Sequence, residues 1–230
     1  MFRFKQFDVR QEVSAMKVGT DGVLLGAWAT VSPEDRRVLD VGTGTGVIAL
    51  MLAQRTDSVQ ILGIDIDPAA ADEAAANFAA SPWSDRLTAL SVRLQDSVSE
   101  DHLFDLIVSN PPFFSASLKA PETRRRTARH DDTLPAADLI AAARRLLAPS
   151  GRLAVIYPPE EARSFVMEAE AAGLYLSRLT RVISVAGQPP KRHLMEFSRT
   201  AALPAISDLV IGSEEYRTLT GDFYLDNHRG

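Results

Sequence analysis

The run Asn110-Pro111-Pro112-Phe113 carries the residue types in this chain best suited to chemistry. It closes an apolar stretch, Phe104-Asp105-Leu106-Ile107-Val108-Ser109, and a polar side chain at the carboxyl end of a parallel strand is where open α/β sheets bind ligands. Pro112 holds its own φ and pushes Pro111 towards extended geometry, so the Pro111 carbonyl and the Asn110 amide oxygen are both aimed. Two acceptors facing one NH2 group hold it by both hydrogens, while the Phe113 ring offers a face to a flat conjugated system. These four residues can therefore present an amine nitrogen to an electrophile. A strand followed by an ordinary proline turn has the same composition, so the assignment depends on what lies upstream.

Upstream, Arg37-Val38-Leu39-Asp40-Val41 is a strand-like run that leads through Gly42-Thr43-Gly44-Thr45-Gly46 into a helical stretch from Val47 to Ala53. Strand, glycine turn and helix in that order open a nucleotide site, and the glycines let a ligand lie against bare backbone. The spacing G-x-G-x-G puts Val47 where the dinucleotide fingerprint needs its last glycine, which disfavours NAD. It suits S-adenosylmethionine, which has no pyrophosphate to seat. Asp40 either faces that cofactor's ammonium group or caps the loop's backbone N–H groups. A second strand, Gln60 to Asp65, ends in an acid. A carboxylate about twenty residues beyond a glycine loop can accept from both ribose hydroxyls, so Asp65 takes the functional role, with Ile66 beside it. Asp67 takes the structural one, as N-cap of a helix with Pro68 in its first turn. A third strand from Leu87 to Leu94 runs into Gln95-Asp96-Ser97, where Asp96 either accepts from the adenine amine or stays solvated.

The remaining chain supplies support. Ala15 to Gly22 is a turn by composition and Val23 to Trp28 a short buried helix, with Thr20 or Asp21 as its cap. Leu134 to Leu147 and Pro159 to Ala172 have helical spacing, and strands are expected over Arg152–Tyr157, Tyr175–Val185 and His193–Ser198. These elements predict an α/β, Rossmann-like, doubly wound sheet, seven-stranded and mostly parallel with one antiparallel edge strand. One domain over residues 1–230 is expected, with residues 1–31 as an extension of the cofactor site and residues 114–133, which lack periodicity, as a substrate loop. That loop carries Arg124, Arg125, Arg126 and Arg129, the best basic patch in a chain of net charge -5. General nucleic-acid binding is disfavoured by that charge, and only such a local patch would neutralise RNA phosphates. The absence of cysteine excludes disulfides and thiolate chemistry, and the four histidines show no metal spacing. No stretch has transmembrane length, which with the missing signal pattern places the protein in the cytoplasm.

The glycine loop, the strand-end acid and the Asn-Pro-Pro-aromatic run resemble class I S-adenosylmethionine-dependent methyltransferases acting on amines and amides. Within that class, Phe4-Lys5-Gln6-Phe7, the stretch from Met16 to Trp28 and the ending Tyr216 to Leu225 look like the bacterial tRNA(Val) (adenine-37-N6)-methyltransferase family. The resemblance implies transfer of a methyl group to an adenine N6 of tRNA, with no metal and no obligate protein partner. It implies cofactor contacts from Lys17, Gly19, Thr20 and Asp21 at the methionine end. Asp40, Gly42, Thr43, Gly44, Gly46, Asp65, Ile66, Asp96, Ser97 and Asn110 would surround the rest. Asn110 to Phe113 would hold the adenine, although that family often has tyrosine where Phe113 stands. Guanine N2 of ribosomal RNA and glutamine in a release factor are the alternative substrates, and a cofactor-binding module without catalysis is the non-enzymatic one. Asp65→Ala is expected to weaken S-adenosylmethionine binding by about 1.5–3 kcal/mol, the worth of a charge-assisted hydrogen bond. Calorimetric titration checks this, and an unchanged affinity would return Asp65 to a purely structural role.

Overall fold

The computed structural model describes residues 1–14, 16–96, 103–112 and 134–225. Ser97, Phe113 and the loop with Arg124, Arg125, Arg126 and Arg129 lie outside the described residues. The frame is an eight-stranded sheet. Its strands are β3 (Arg37–Val41), β4 (Gln60–Asp65), β5 (Leu87–Ser91), β6 (Phe104–Ser109), β7 (Leu147–Tyr157), β8 (Tyr175–Ile183), β9 (Arg192–Ser198) and β10 (Ala205–Val210), in the order β10-β8-β9-β7-β6-β3-β4-β5. Only β9 runs against its neighbours, β7 and β8, and every other pairing is parallel. The doubly wound, mostly parallel sheet expected from the sequence is present, with eight strands in place of seven. The additional strand, β10, lies outside β8 with four of its six residues exposed, so it lacks the apolar run that would have marked it.

The central strands are apolar on both faces, as parallel strands covered by helices must be. Successive residues go to opposite sides. Val38, Leu106, Val108, Ala154 and Ile156 join one apolar cluster, and Leu39, Ile107, Leu153 and Val155 the other. The first cluster is covered by α1 (Thr20–Trp28), α2 (Val47–Gln54) and α3 (Pro68–Ala79), the second by α4 (Ala136–Leu146) and α5 (Pro159–Ala171). In α2 every residue from Val47 to Ala53 is buried, which explains why the stretch has no polar face. Asp67 caps α3 as expected, its side chain accepting from the Ala69 N–H at 3.0 Å with Pro68 in the first turn. The cap expected for α1 is not made. The helix starts at Thr20, its N-cap is Gly19, and the Asp21 carboxylate instead accepts from Arg192 Nε at 2.7 Å.

The first residues form a two-stranded hairpin, β1 (Phe2–Arg3) with β2 (Asp8–Val9), that no pattern in the sequence announced. Phe4 stacks on Phe7 at 4.6 Å, and the Lys5 amine and backbone N–H reach the carbonyls of Gly221 and Phe223, just beyond α6 (Glu214–Thr220). The chain then crosses α3, where two side chains one turn apart hold it. Asn77 accepts from the Arg10 N–H at 2.8 Å and donates to the Arg10 carbonyl at 2.9 Å. Glu73 accepts from the N–H groups of Glu12, Val13 and Ser14 at 2.5, 3.1 and 2.9 Å. Burial alone would raise the Glu73 pKa. The nearby Ser14 hydroxyl and the three N–H groups outweigh it and hold the carboxyl at about 2, below its ordinary 4.5.

Because the folded pKa is depressed, the stabilisation from Glu73 is fully present above pH 4.5 and is lost as the pH falls through 2. Glu73→Gln is expected to cost about 2 kcal/mol at neutral pH, the loss of charge-assisted bonds. Its stability should also change less between pH 5 and 2 than that of the native chain, which urea melts across that range would check.

Candidate functional site

The strand order reverses between β3 and β6, and the carboxyl ends of these strands, with that of β4, form the crevice in which open α/β sheets bind ligands. The ends are bound together. Ser109 Oγ donates to the Val41 carbonyl at 2.8 Å, and the Gly42 and Thr43 N–H groups both donate to the Ile64 carbonyl at 2.9 Å. Gly42 and Gly44 have φ of 70° and 53°, and a Cβ on either would meet nothing within 4 Å. Their backbone therefore faces open space, which is what a ligand lying against the loop requires. Gly46 differs. At φ 80° its Cβ would lie 2.4 Å from the Phe78 ring, so this glycine serves helix packing and lines neither cavity.

Two cavities open over the crevice, of about 780 and about 650 Å³, both within the range of small-molecule sites. The larger is walled by Asp65, Ile66, Val92, Leu94, Pro111 and Pro112 among others. The Asp65 carboxylate takes the Gly44 N–H at 2.9 Å on one oxygen and the Asp67 N–H at 3.0 Å on the other. With four acceptor sites on a carboxylate, lone pairs remain for a ligand. The smaller cavity is walled by Lys17 and Gly19 ahead of α1 and by Thr20 and Asp21 in its first turn, by Thr43, and by Val182, Arg192 and Ile211 from the far end of the chain. Met16, Gly42, Gly44 and Asn110 line both. Asn110 thus stands on the partition, and its Oδ1 is a buried acceptor without a hydrogen-bond partner among the described residues.

Besides Gly46, two expected residues are elsewhere. Asp96 ends a short 3-10 turn and is exposed, and the larger cavity is lined instead by Arg93, Leu94 and Gln95. Gln95 Nε2 donates to Asp138 Oδ2 at 2.7 Å, so the polar group at that wall is a pair drawn from two elements. Asp40 lies fully buried beneath the glycine loop and lines neither cavity. One of its oxygens accepts from Thr43 Oγ1 at 2.7 Å, and the other makes no well-aligned hydrogen bond among the described residues. It anchors the loop through the Thr43 hydroxyl, whereas the loop N–H groups it was expected to cap, those of Gly42, Thr43 and Gly44, go to the Ile64 carbonyl and to Asp65. Gln95, Asp138, Lys191 and Arg192 were not singled out from sequence, since nothing near them in the chain has a ligand pattern and the sheet alone brings them to the crevice. Among the described residues no group of three His, Asp or Glu is arranged to hold a metal ion, and no helix is long and apolar enough to cross a membrane.

The family described as "Methyltransferase small domain" matches residues 18–173. A tRNA1(Val) (adenine(37)-N6)-methyltransferase of Phocaeicola vulgatus is 48% identical over 98% of this chain and 97% of its own length. The enzyme of the same name from Porphyromonas gingivalis strain ATCC 33277 is 46% identical over 100% of this chain and 96% of its own. Among solved structures, a predicted O-methyltransferase from Agrobacterium tumefaciens superposes with a TM-score of 0.65 at 18% identity, covering 88% of this chain and 96% of that one. At that identity the likeness is one of fold.

Burial pushes the Asp40 carboxyl up to about 7 against the pull of the Thr43 hydroxyl, and the charge of Asp65 adds to the rise. Since the folded value lies above the ordinary 3.8, the contribution is fully present below pH 3.8 and is lost as the pH rises through 7. Asp40→Asn has no charge to bury and is expected to exceed the native chain in stability above pH 7 by roughly 1–3 kcal/mol, the gap closing towards pH 4. Denaturant melts at pH 4, 6 and 8 measure it, and parallel profiles for the two proteins would place the buried charge elsewhere.

Proposed function

The chain belongs to the methyltransferase small-domain family, and we propose that it transfers a methyl group from S-adenosylmethionine to the exocyclic N6 of an adenine in tRNA, at position 37 of valine tRNA. The observation that carries this reading is Asn110 Oδ1, a buried acceptor unpartnered among the described residues and set between two ligand-sized cavities. A buried amide oxygen without a partner costs stability, typically about 1–3 kcal/mol, unless something supplies a donor. An amine N–H arriving from a substrate does so. The full-length likeness to the two tRNA1(Val) enzymes supports adenine in tRNA over guanine in ribosomal RNA or glutamine in a protein.

When bound, the cofactor supplies a methyl group on a sulfonium, an already activated leaving group. The protein supplies position. Asp65 takes the ribose hydroxyls, Ile66, Val92 and Leu94 flank the adenine ring, and the bare backbone of Gly42 and Gly44 receives the chain that links ribose to methionine. Lys17, Gly19, Thr20 and Asp21, on the other side of the glycine loop, hold the methionine end. Asn110 Oδ1 and the Pro111 carbonyl accept the two hydrogens of the target amine and ease its lone pair out of conjugation, while Pro112 fixes the turn and Phe113 stacks on the base. Alignment within a water-poor crevice then accounts for most of the acceleration. The loop with Arg124, Arg125, Arg126 and Arg129 contacts RNA phosphates, and a tRNA substrate places the reaction in the cytoplasm.

Asn110→Ala is expected to lower kcat about 100- to 1000-fold, as the loss of one preorganised group at the reacting atom does. S-adenosylhomocysteine affinity, tRNA affinity and melting temperature should change little. Single-turnover methylation of tRNA with calorimetry on the same preparations separates the cases. A variant that transfers at the native rate, or one that loses melting temperature and binding together, removes Asn110 from the chemistry.

A further inference from the structure

The smaller cavity has a wall that the reading above leaves without a task. It comes from beyond residue 173, where the family match ends: Val182 near the end of β8, Ser184 and Lys191 in the hairpin leading to β9, and Ile211 just after β10. Val182 is buried and Ile211 packs against the same apolar cluster, so the floor is apolar. The mouth is cationic. Lys17 and Lys191 are exposed at it, and the Arg192 guanidinium is fixed there by Asp21 at 2.7 Å and the Lys191 carbonyl at 2.8 Å. The hairpin is stiff where it matters. Pro189 and Pro190 fix the backbone ahead of Lys191, whose N–H closes the last rung by donating to the Val182 carbonyl at 2.8 Å.

An apolar floor under a cationic mouth, in a chain of net charge -5, fits a nucleotide. A nucleotide has a flat ring that gains by burial and a phosphate that needs a cation. Because Asn110 lines the same cavity, we infer that this C-terminal wall is the pocket for the target nucleotide: its base lies against Val182 and Ile211, and its phosphate meets Lys191. Asp21, one of the residues that hold the methionine end, is paired with Arg192 of this wall at 2.7 Å, so donor and acceptor meet within one cavity. The inference rests on the RNA reading of the site and adds the residues that receive the RNA.

Two variants at exposed positions test it, each assayed beside the wild type for methyl transfer to tRNA and for S-adenosylhomocysteine affinity by calorimetry. Lys191→Glu is expected to raise the KM for tRNA about tenfold, and to flatten the slope of log kcat/KM against log salt by about one, as loss of one phosphate contact does. Its kcat at saturating tRNA and its S-adenosylhomocysteine affinity should hold. Ser184→Trp narrows the cavity at its C-terminal rim, away from the glycine loop, and is expected to abolish transfer while S-adenosylhomocysteine still binds with native affinity. Lys191→Glu with native tRNA kinetics, or either variant losing cofactor affinity in step with activity, overturns the inference and leaves the RNA reading standing. A wild type that transfers no methyl to tRNA overturns both.

Discussion

The grip of α3 on the segment after β2 is the interaction on which the rest of the site depends. Glu73 and Asn77 are four residues apart and therefore share one helix face. Between them they satisfy the N–H groups of residues 10, 12, 13 and 14 and the carbonyl of Arg10. Asn77 Nδ2 also donates to the Thr45 carbonyl at 2.8 Å, so the same side chain fixes the glycine loop. A short irregular segment has little apolar area of its own and cannot pay the entropy of ordering from packing alone. Charge-assisted bonds to a carboxylate held at about 2 supply what packing does not. The strap that follows, Lys17 to Asp21, is thereby delivered to the crevice at a fixed height, and Arg192 secures its far end through Asp21.

From that anchorage the two cavities follow. The glycine loop is pinned from below by the Ile64 carbonyl, from beneath by Asp40 through Thr43, and from the side by Asp65 through Gly44. Each of these bonds leaves the upper surface of the loop bare, and that surface is common to both cavities. Asn110 shares the partition because β6 is hydrogen-bonded directly to β3, with Ser109 opposite Val41. The next residue after each strand therefore reaches the same place. A reaction between two bound molecules needs such a shared edge, since the reacting atoms must come within about 3–3.5 Å of each other.

The C-terminal third of the chain widens this arrangement. β9 reverses direction between β7 and β8, so its first residues, Arg192 and His193, arrive at the carboxyl end of the parallel strands, where the ligands are. A strand inserted in this sense brings its N-terminal hairpin to the site, whereas a parallel strand would have brought its C-terminal end. Lys191 and Arg192 owe their place at the cavity mouth to that reversal.

Local chemistry let the sequence determine the elements and their order. The buried runs Arg37–Val41, Gln60–Asp65 and Phe104–Ser109 are strands with the bounds their composition marks. Asp67 with Pro68 starts a helix, and G-x-G-x-G followed by an acid predicts the crevice in which Gly42, Gly44 and Asp65 meet. Asn110 could be singled out because the glycine loop and the strand-end acid upstream told its strand end apart from an ordinary proline turn. Tertiary structure decided what depends on neighbours distant in the chain. Asp21 pairs with Arg192 instead of capping α1, and Asp40 becomes an anchor because the sheet buries it completely. Gln95 with Asp138 replaces Asp96 at the cavity wall, since the turn from Leu94 to Asp96 points the later residue to solvent. The exposed strand β10 and the wall formed by Val182, Lys191 and Ile211 have no periodic signal of their own. Their positions are set by which strand lies beside which, and that is a property of the closed sheet, settled by burial and backbone pairing over the whole chain.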